Sequence, residues 1–199
     1  MFRKKAELKY KVTRQSFKHE GKVVLRIVAL KSFADVCTGD DGGCVSGEHN
    51  LSQKGNCWIY PGGVVMDNSR VSGNATVWGS TDKNVLGGVL KDNAKACGNA
   101  LIEESGLLEK NAKAKGDSLV TGRGMMTDNT VIGGSATLQD EGVMCDKAKA
   151  FGNVVIKGTS IIKGTSKLYG DVVVEDVTVE ATGMFNSITG RFTLKKEGK

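Results

Sequence analysis

The chain has 199 residues, 39% of them hydrophobic, which is enough to bury a sizeable core and too little continuous apolar sequence for a membrane protein. Twenty-seven glycines stand against one proline, and the net charge is +6. The start, MFRKKAELKYKVTRQ, has no apolar run, so neither a signal peptide nor a membrane span is expected, and five cysteines without framework spacing point to reduced thiols in the cytoplasm.

Residues 1–31 carry ten basic side chains (Arg3, Lys4, Lys5, Lys9, Lys11, Arg14, Lys18, Lys22, Arg26 and Lys31) against Glu7 and Glu20. A basic arm of this kind can bind a polyanion. The same residues also read as a hairpin, with LKYKVTRQSF and GKVVLRIVAL as strands around Lys18-His19-Glu20-Gly21. No aromatic platform of the RNA-binding kind accompanies the charges, so nucleic acid is not an expected partner.

From Leu90 onward the chain is governed by a six-residue period. Leu90, Ala96, Ile102, Leu108, Ala114, Val120, Met126, Ile132, Leu138, Met144, Ala150, Ile156, Ile162, Leu168 and Val174 are all small or apolar. Four residues after each lies a second compact side chain, from Ala94 through Thr130 to Thr178. Taking each apolar residue as position i, strand alternation sends i and i−2 inward and the variable neighbours i−1 and i+1 outward. Gly, Asn and Asp at i+2 and i+3 supply the positive φ of a sharp corner. Each hexad is then a short strand plus a turn, and three hexads close one triangular coil. The strings AKACGN at Ala94, AKAKGD at Ala112 and AKAFGN at Ala148 recur at multiples of 18 and support the factor of three. Ile59, Val65, Val71 and Val77 extend the series upstream one residue out of phase, which places an insertion near Asp82-Lys83-Asn84.

These repeats resemble the hexapeptide-repeat proteins, whose fold is a left-handed parallel β-helix. The hand is what the resemblance implies, since the usual crossover rule favours the opposite one. The segment RIVALKSFADVCTGDDGGCVSGEHNLSQKGNCWIY, Arg26 to Tyr60, is similar to the head of a narrower group, the YdcK-like bacterial and prophage proteins. This chain departs from their pattern at Ser32, Cys44 and Pro61. Members of that group are often called transferases on the repeats alone, a weak warrant. The expected fold is thus all-β, a triangular prism with an N-terminal β-hairpin cap. A basic hairpin and capping head is expected over 1–50, a β-helix of about six to seven coils over 51–182, and a C-terminal strand and basic tail over 183–199.

The resemblance implies a histidine as general base in an inter-subunit cleft, or three histidines on zinc in relatives with carbonic-anhydrase chemistry. The chain has two histidines, His19 and His49, and both precede the regular repeats. His49, beside Glu48, is the candidate base, against a plain loop reading. Cys37, Cys44, Cys57 and His49 lack the close pairing of most structural zinc sites, so no metal and no cofactor are expected. Gly-rich pieces such as TGRGMM fall in register with the corners and are no phosphate loops.

The outward positions carry a better clue. One face bears Lys95, Lys113, Val131, Lys149 and Lys167, with Phe151 and Tyr169 one coil apart beside Lys149 and Lys167. That group could hold a planar anionic ligand or a partner loop, or simply be a cross-strand aromatic pair. The second face bears Leu101, Leu119, Thr137, Val155 and Val173; the third bears Val89, Leu107, Met125, Val143, Ile161 and Val179. Continuous exposed apolar columns mark interfaces. A homotrimer that buries two adjacent faces of each prism accounts for them, and cover by VVLRIVAL or MFNSITGRFTL is the rival account. The function expected on this reading is a non-enzymatic scaffold or binding protein with a protein or small-molecule partner, ahead of an acyltransferase-like enzyme or a polyanion-binding accessory protein.

Overall fold

The computed structural model describes residues 7–79, 85–182 and 187–195. It is a parallel β-solenoid of about eight coils, and the short 3-10 turn Glu48–Asn50 is the single helical element among the described residues. Three columns of short strands stack at 18-residue intervals. Lys95 pairs with Lys113, then Val131, Lys149 and Lys167 on the first face. Leu101, Leu119, Thr137, Val155 and Val173 follow one another on the second, and Leu107, Met125, Val143 and Ile161 on the third.

The inward residues obey the hexad register. All fifteen apolar members from Leu90 to Val174 are fully buried. Three of the four buried serines and threonines at the compact inward position of this series bond back to their own corner, while the Ser118 hydroxyl is buried without a partner among the described residues. Thr130 Oγ1 donates to Thr127 O at 2.8 Å, and Ser160 and Ser166 do the same to Lys157 and Lys163 at 2.7 Å. A buried hydroxyl without such a partner would be costly.

Every hexad turns at i+2, where φ is positive in all fifteen, from Asp92 to Asp176. Eight of these corners are glycine, and the others are Asp92, Glu104, Lys110, Asp128, Asp140, Asp146 and Asp176. The acidic ones other than Asp176 accept a backbone amide one coil on, as Glu104 does from Gly122 at 2.8 Å, Asp140 from Gly158 at 2.9 Å and Asp146 from Gly164 at 2.8 Å; Asp176 accepts from Thr159 N one coil back at 2.9 Å. A carboxylate there satisfies an N–H that the strand ladder leaves without a carbonyl.

Two phase changes interrupt the series. Asp82, Lys83 and Asn84 lie outside the described residues, but the flanking registers carry the extra residue. Ile59 pairs with Val77, eighteen residues on, whereas Val77 pairs with Ala96, nineteen on. The second change corrects the expected third-face column. Ile161 pairs with Thr178, not Val179, so Thr178 is exposed and Val179 packs against the core together with Val177. The corner between Val174 and Val179 is one residue short, which reverses the facing of both neighbours.

Parallel pairing extends past residues 51–182 at both ends. Ser187–Lys195 runs beside Lys167–Glu175 as a further rung. At the other end, β1 (Tyr10–His19) and β2 (Lys22–Ala29) form the antiparallel hairpin, turning through Glu20 and Gly21 at positive φ. The hairpin passes to β3 (Asp41–Val45), which is antiparallel to β2 and parallel to Val64-Val65. The first coil therefore begins inside the segment expected to be cap.

The head closes the open end of the core around Trp58. Tyr10 and Phe33 meet its ring edge-on, with centroids 6.4 and 5.4 Å away, and Ile27 and Val36 are buried beside them. Backbone carbonyls of the first coil have no preceding coil to donate to them, so side chains do. Lys9, only 1% exposed, donates from Nζ to Cys57 O at 2.8 Å and Gly55 O at 3.2 Å, and Tyr10 Oη donates to Leu51 O at 2.6 Å. Burial holds the Lys9 ammonium below its usual pKa and pushes the Tyr10 phenol up to about 12.

Candidate functional site

The first face combines lysines with aromatic rings because its outward positions repeat every 18 residues. Lys95 and Lys113 are exposed, and Lys149 and Lys167 half-exposed, in one column. In the neighbouring outward column Phe151 and Tyr169 stack with centroids 5.8 Å apart and planes 13° apart. The cation over Phe151 is Lys115 Nζ, 5.0 Å from the ring centroid, and the ring leans over Gly133, where a Cβ would lie 2.9 Å from it. None of these five lysines makes a salt bridge among the described residues. No acidic residue occupies an outward position on this face from Thr76 to Tyr169.

The same column holds a second stack nearer the head. Tyr60 and Trp78 lie 3.4 Å apart at 16°, and Trp78 is 45% exposed. Tyr60 Oη donates to Asp35 at 2.6 Å, and burial together with that bond raises the phenol's pKa well above its usual value. The next rung presents only Cys97 beside Trp78. Tyr60 and Trp78 escaped the sequence reading because the insertion before Leu90 shifts their phase. Counting back from Ile59 and Val77 would have found them.

His49 sits in the short turn Glu48–Asn50 and is exposed. Its Nε2 lies 2.7 Å from Asp67 O and 3.3 Å from Asn50 Nδ2. A ring nitrogen facing a carbonyl oxygen must donate, which leaves Nδ1 as the basic site. Glu48 does not hydrogen-bond to the imidazole among the described residues; its backbone carbonyl accepts from Tyr10 Oη at 3.1 Å. The pair lacks the oriented geometry of an activated base.

The two apolar columns are half-exposed, and the polar Thr137 interrupts the first of them between Leu119 and Val155. They comprise Leu101, Leu119, Val155 and Val173 on one face, and Leu107, Met125, Val143 and Ile161 on the next. Neither rival cover lies across them among the described residues. β2 pairs with β1 and β3 at the head, and Ser187–Lys195 forms a rung. Val24 of β2 does cover the head end of the second face, where it is buried with Cys44, Val64 and Met66.

The cysteines do not converge. Cys37 is exposed, Cys44 is in that outer cluster, and Cys57 is buried beside Lys9 with Sγ 3.2 Å from Nζ. No cluster of three metal-ligating side chains occurs among the described residues. Of the basic arm, Lys9 is buried, Lys22 pairs with Asp67 at 2.8 Å and Arg26 donates to Gly42 O at 3.1 Å; Arg3, Lys4 and Lys5 lie outside the described residues. No described helix is long and apolar enough to cross a membrane.

No family model matches the chain. In a match 65 positions long, which covers 29% of this chain and 20% of the other, the chain is 42% identical to a protein of Escherichia coli (strain K12) named "Uncharacterized acetyltransferase YdcK". That likeness and the solenoid together fit a hexapeptide-repeat β-helix at family level.

Proposed function

We propose that the chain is a β-helical binding scaffold that acts as a homotrimer. Its second and third faces bury against neighbouring subunits, and its lysine-and-aromatic face stays outward for an acidic partner. The observation that carries this reading is the alignment of eight apolar side chains in two columns on adjacent faces, one broken only by Thr137, with no described part of the chain lying across these eight residues. Full burial of an exposed side chain of this size contributes about 1.5–3 kcal/mol; these are already partly buried, so each adds a fraction of that and the interface draws on both columns together. The free thiols support a cytoplasmic setting. Changing Met125 and Val143 together to Glu puts like charges in one column without touching an inward residue. The variant should be monomeric with an unchanged β-sheet circular dichroism signal; a variant that still assembles would remove the third face from the interface.

An acyltransferase-like enzyme is the second reading, supported by the name of the similar protein and by an imidazole with a free Nδ1 at His49. Turnover of any acyl-coenzyme A, lost in His49→Ala, would favour it over the scaffold.

A further inference from the structure

Apart from the lysine face, a concavity opens where the hairpin overhangs the outer side of the second face. The overhang is fastened near the hairpin tip. Lys22 at the hairpin tip binds Asp67, and Val24 packs into the cluster with Cys44, Val64 and Met66. Beside the Val24 cluster lies a cavity of about 210 Å³, bordered by Phe17, Lys18, His19, Arg26, Gly43 and Gly62-Gly63. No carboxylate is among its lining residues.

Two nitrogens on this lining are unused. His19 is 8% exposed, and its Nε2 and the Nε of Arg26 are both shielded from water without a hydrogen-bond partner. Elsewhere on the Arg26 head, Nη1 donates to Gly42 O at 3.1 Å and the guanidinium lies 5.0 Å from the Phe17 ring centroid. Buried donors without acceptors are uncommon because each forfeits its bonds to water. Here two side chains that leave such donors, one of them a permanent cation, meet at a single cavity with Lys18 at its border.

We propose that this cavity binds a small oxyanion, a carboxylate or a phosphate monoester, that accepts from His19 Nε2–H and Arg26 Nε–H. Charge-assisted bonds of this type are the stronger ones, and a group with two acceptor oxygens can serve both nitrogens. Val24 and Val64 offer the remainder of such a molecule an apolar wall.

The chain has two histidines, so selective ¹⁵N labelling of histidine gives two imidazoles to follow, and His49→Ala assigns them. Inorganic phosphate and glutarate are titrated separately, with sodium chloride at matched ionic strength as control. A saturable shift of the His19 ring with either anion, and none with chloride, is the expected result. Response to phosphate alone identifies a phosphoryl ligand, and response to glutarate alone a carboxylate. Arg26→Gln should weaken the binding about tenfold. If that variant does not fold, exposed Lys18→Ala carries the test, with a loss of about threefold from the missing charge. No saturable shift with either anion, a shift that chloride reproduces, or full affinity in the folded variant overturns the proposal.

Discussion

The head and the prism are held together in different ways. In the prism each coil repeats the bonds of the last, and Asn74, Asn93, Asn111 and Asn129 even hydrogen-bond in a ladder at 3.1–3.2 Å along one edge. Stabilisation there is spread evenly, and each coil depends on its two neighbours. In the head it is concentrated in a few contacts between residues 38 to 48 apart in sequence, made by Lys9, Tyr10 and Gln53. A repeat can lose one member and keep its pattern. The head has no second Trp58.

The comparison is tested most severely by Ile132→Asp, which places an unpaired carboxylate in the dry centre of the prism. The cost is several kcal/mol, comparable to a domain's whole stability, so the protein should be insoluble or melt far earlier. An unchanged melting temperature would break the hexad register. Trp58→Ala should cost about 3–5 kcal/mol, and the loss should stay local. Hydrogen exchange is expected to rise in the head and first coils while residues 102–174 remain protected. A uniform rise would mean that head and prism are one cooperative unit.

Lys9→Met leaves the carbonyls of Gly55 and Cys57 without their donor, a cost of about 1–3 kcal/mol. It also carries a pH signature. Burial lowers the Lys9 pKa from 10.5, so the unfolded chain holds that proton more tightly. Wild-type stability therefore gains with pH in the window just below 10.5, and the variant lacks that gain. Lys91, Lys110 and Lys163, whose pKa values are raised by Glu109, Asp128 and Glu180, act oppositely and are common to both proteins. The melting gap between wild type and variant should widen across that window; a constant gap would place the Lys9 ammonium in water. Asn111→Ala, which removes two exposed ladder bonds, should cost less than about 1.5 kcal/mol and leave assembly intact. A larger loss would show that the prism, too, has concentrated contacts.

The prism was legible because its information is local: six residues decide what faces inward, and the same decision is repeated. The corners were legible only where glycine or aspartate announced them. Glu104 and Lys110 adopt positive φ because the coil above and below fixes their path, against their own preference. The slip that turns Val179 inward was hidden because Val177, Thr178 and Val179 suit either phase. In the head, a hairpin could be read from its alternation, but nothing local marks Lys9 as buried. A lysine among lysines reads as solvated until the chain folds back some 48 residues later onto Cys57. The same holds for the first face: Phe151 and Tyr169 were placed by period, whereas the Tyr60–Trp78 stack lay on the far side of the insertion. The cavity beneath the hairpin joins four separate segments and has no sequence signature.

Native mass spectrometry of the purified chain tests the trimer most directly. The predicted dominant species has three times the chain mass of 21.1 kDa, and it collapses to single chains when Met125 and Val143 are both glutamate. A wild-type spectrum dominated by the single chain would contradict the account, and the two apolar columns would then need another cover.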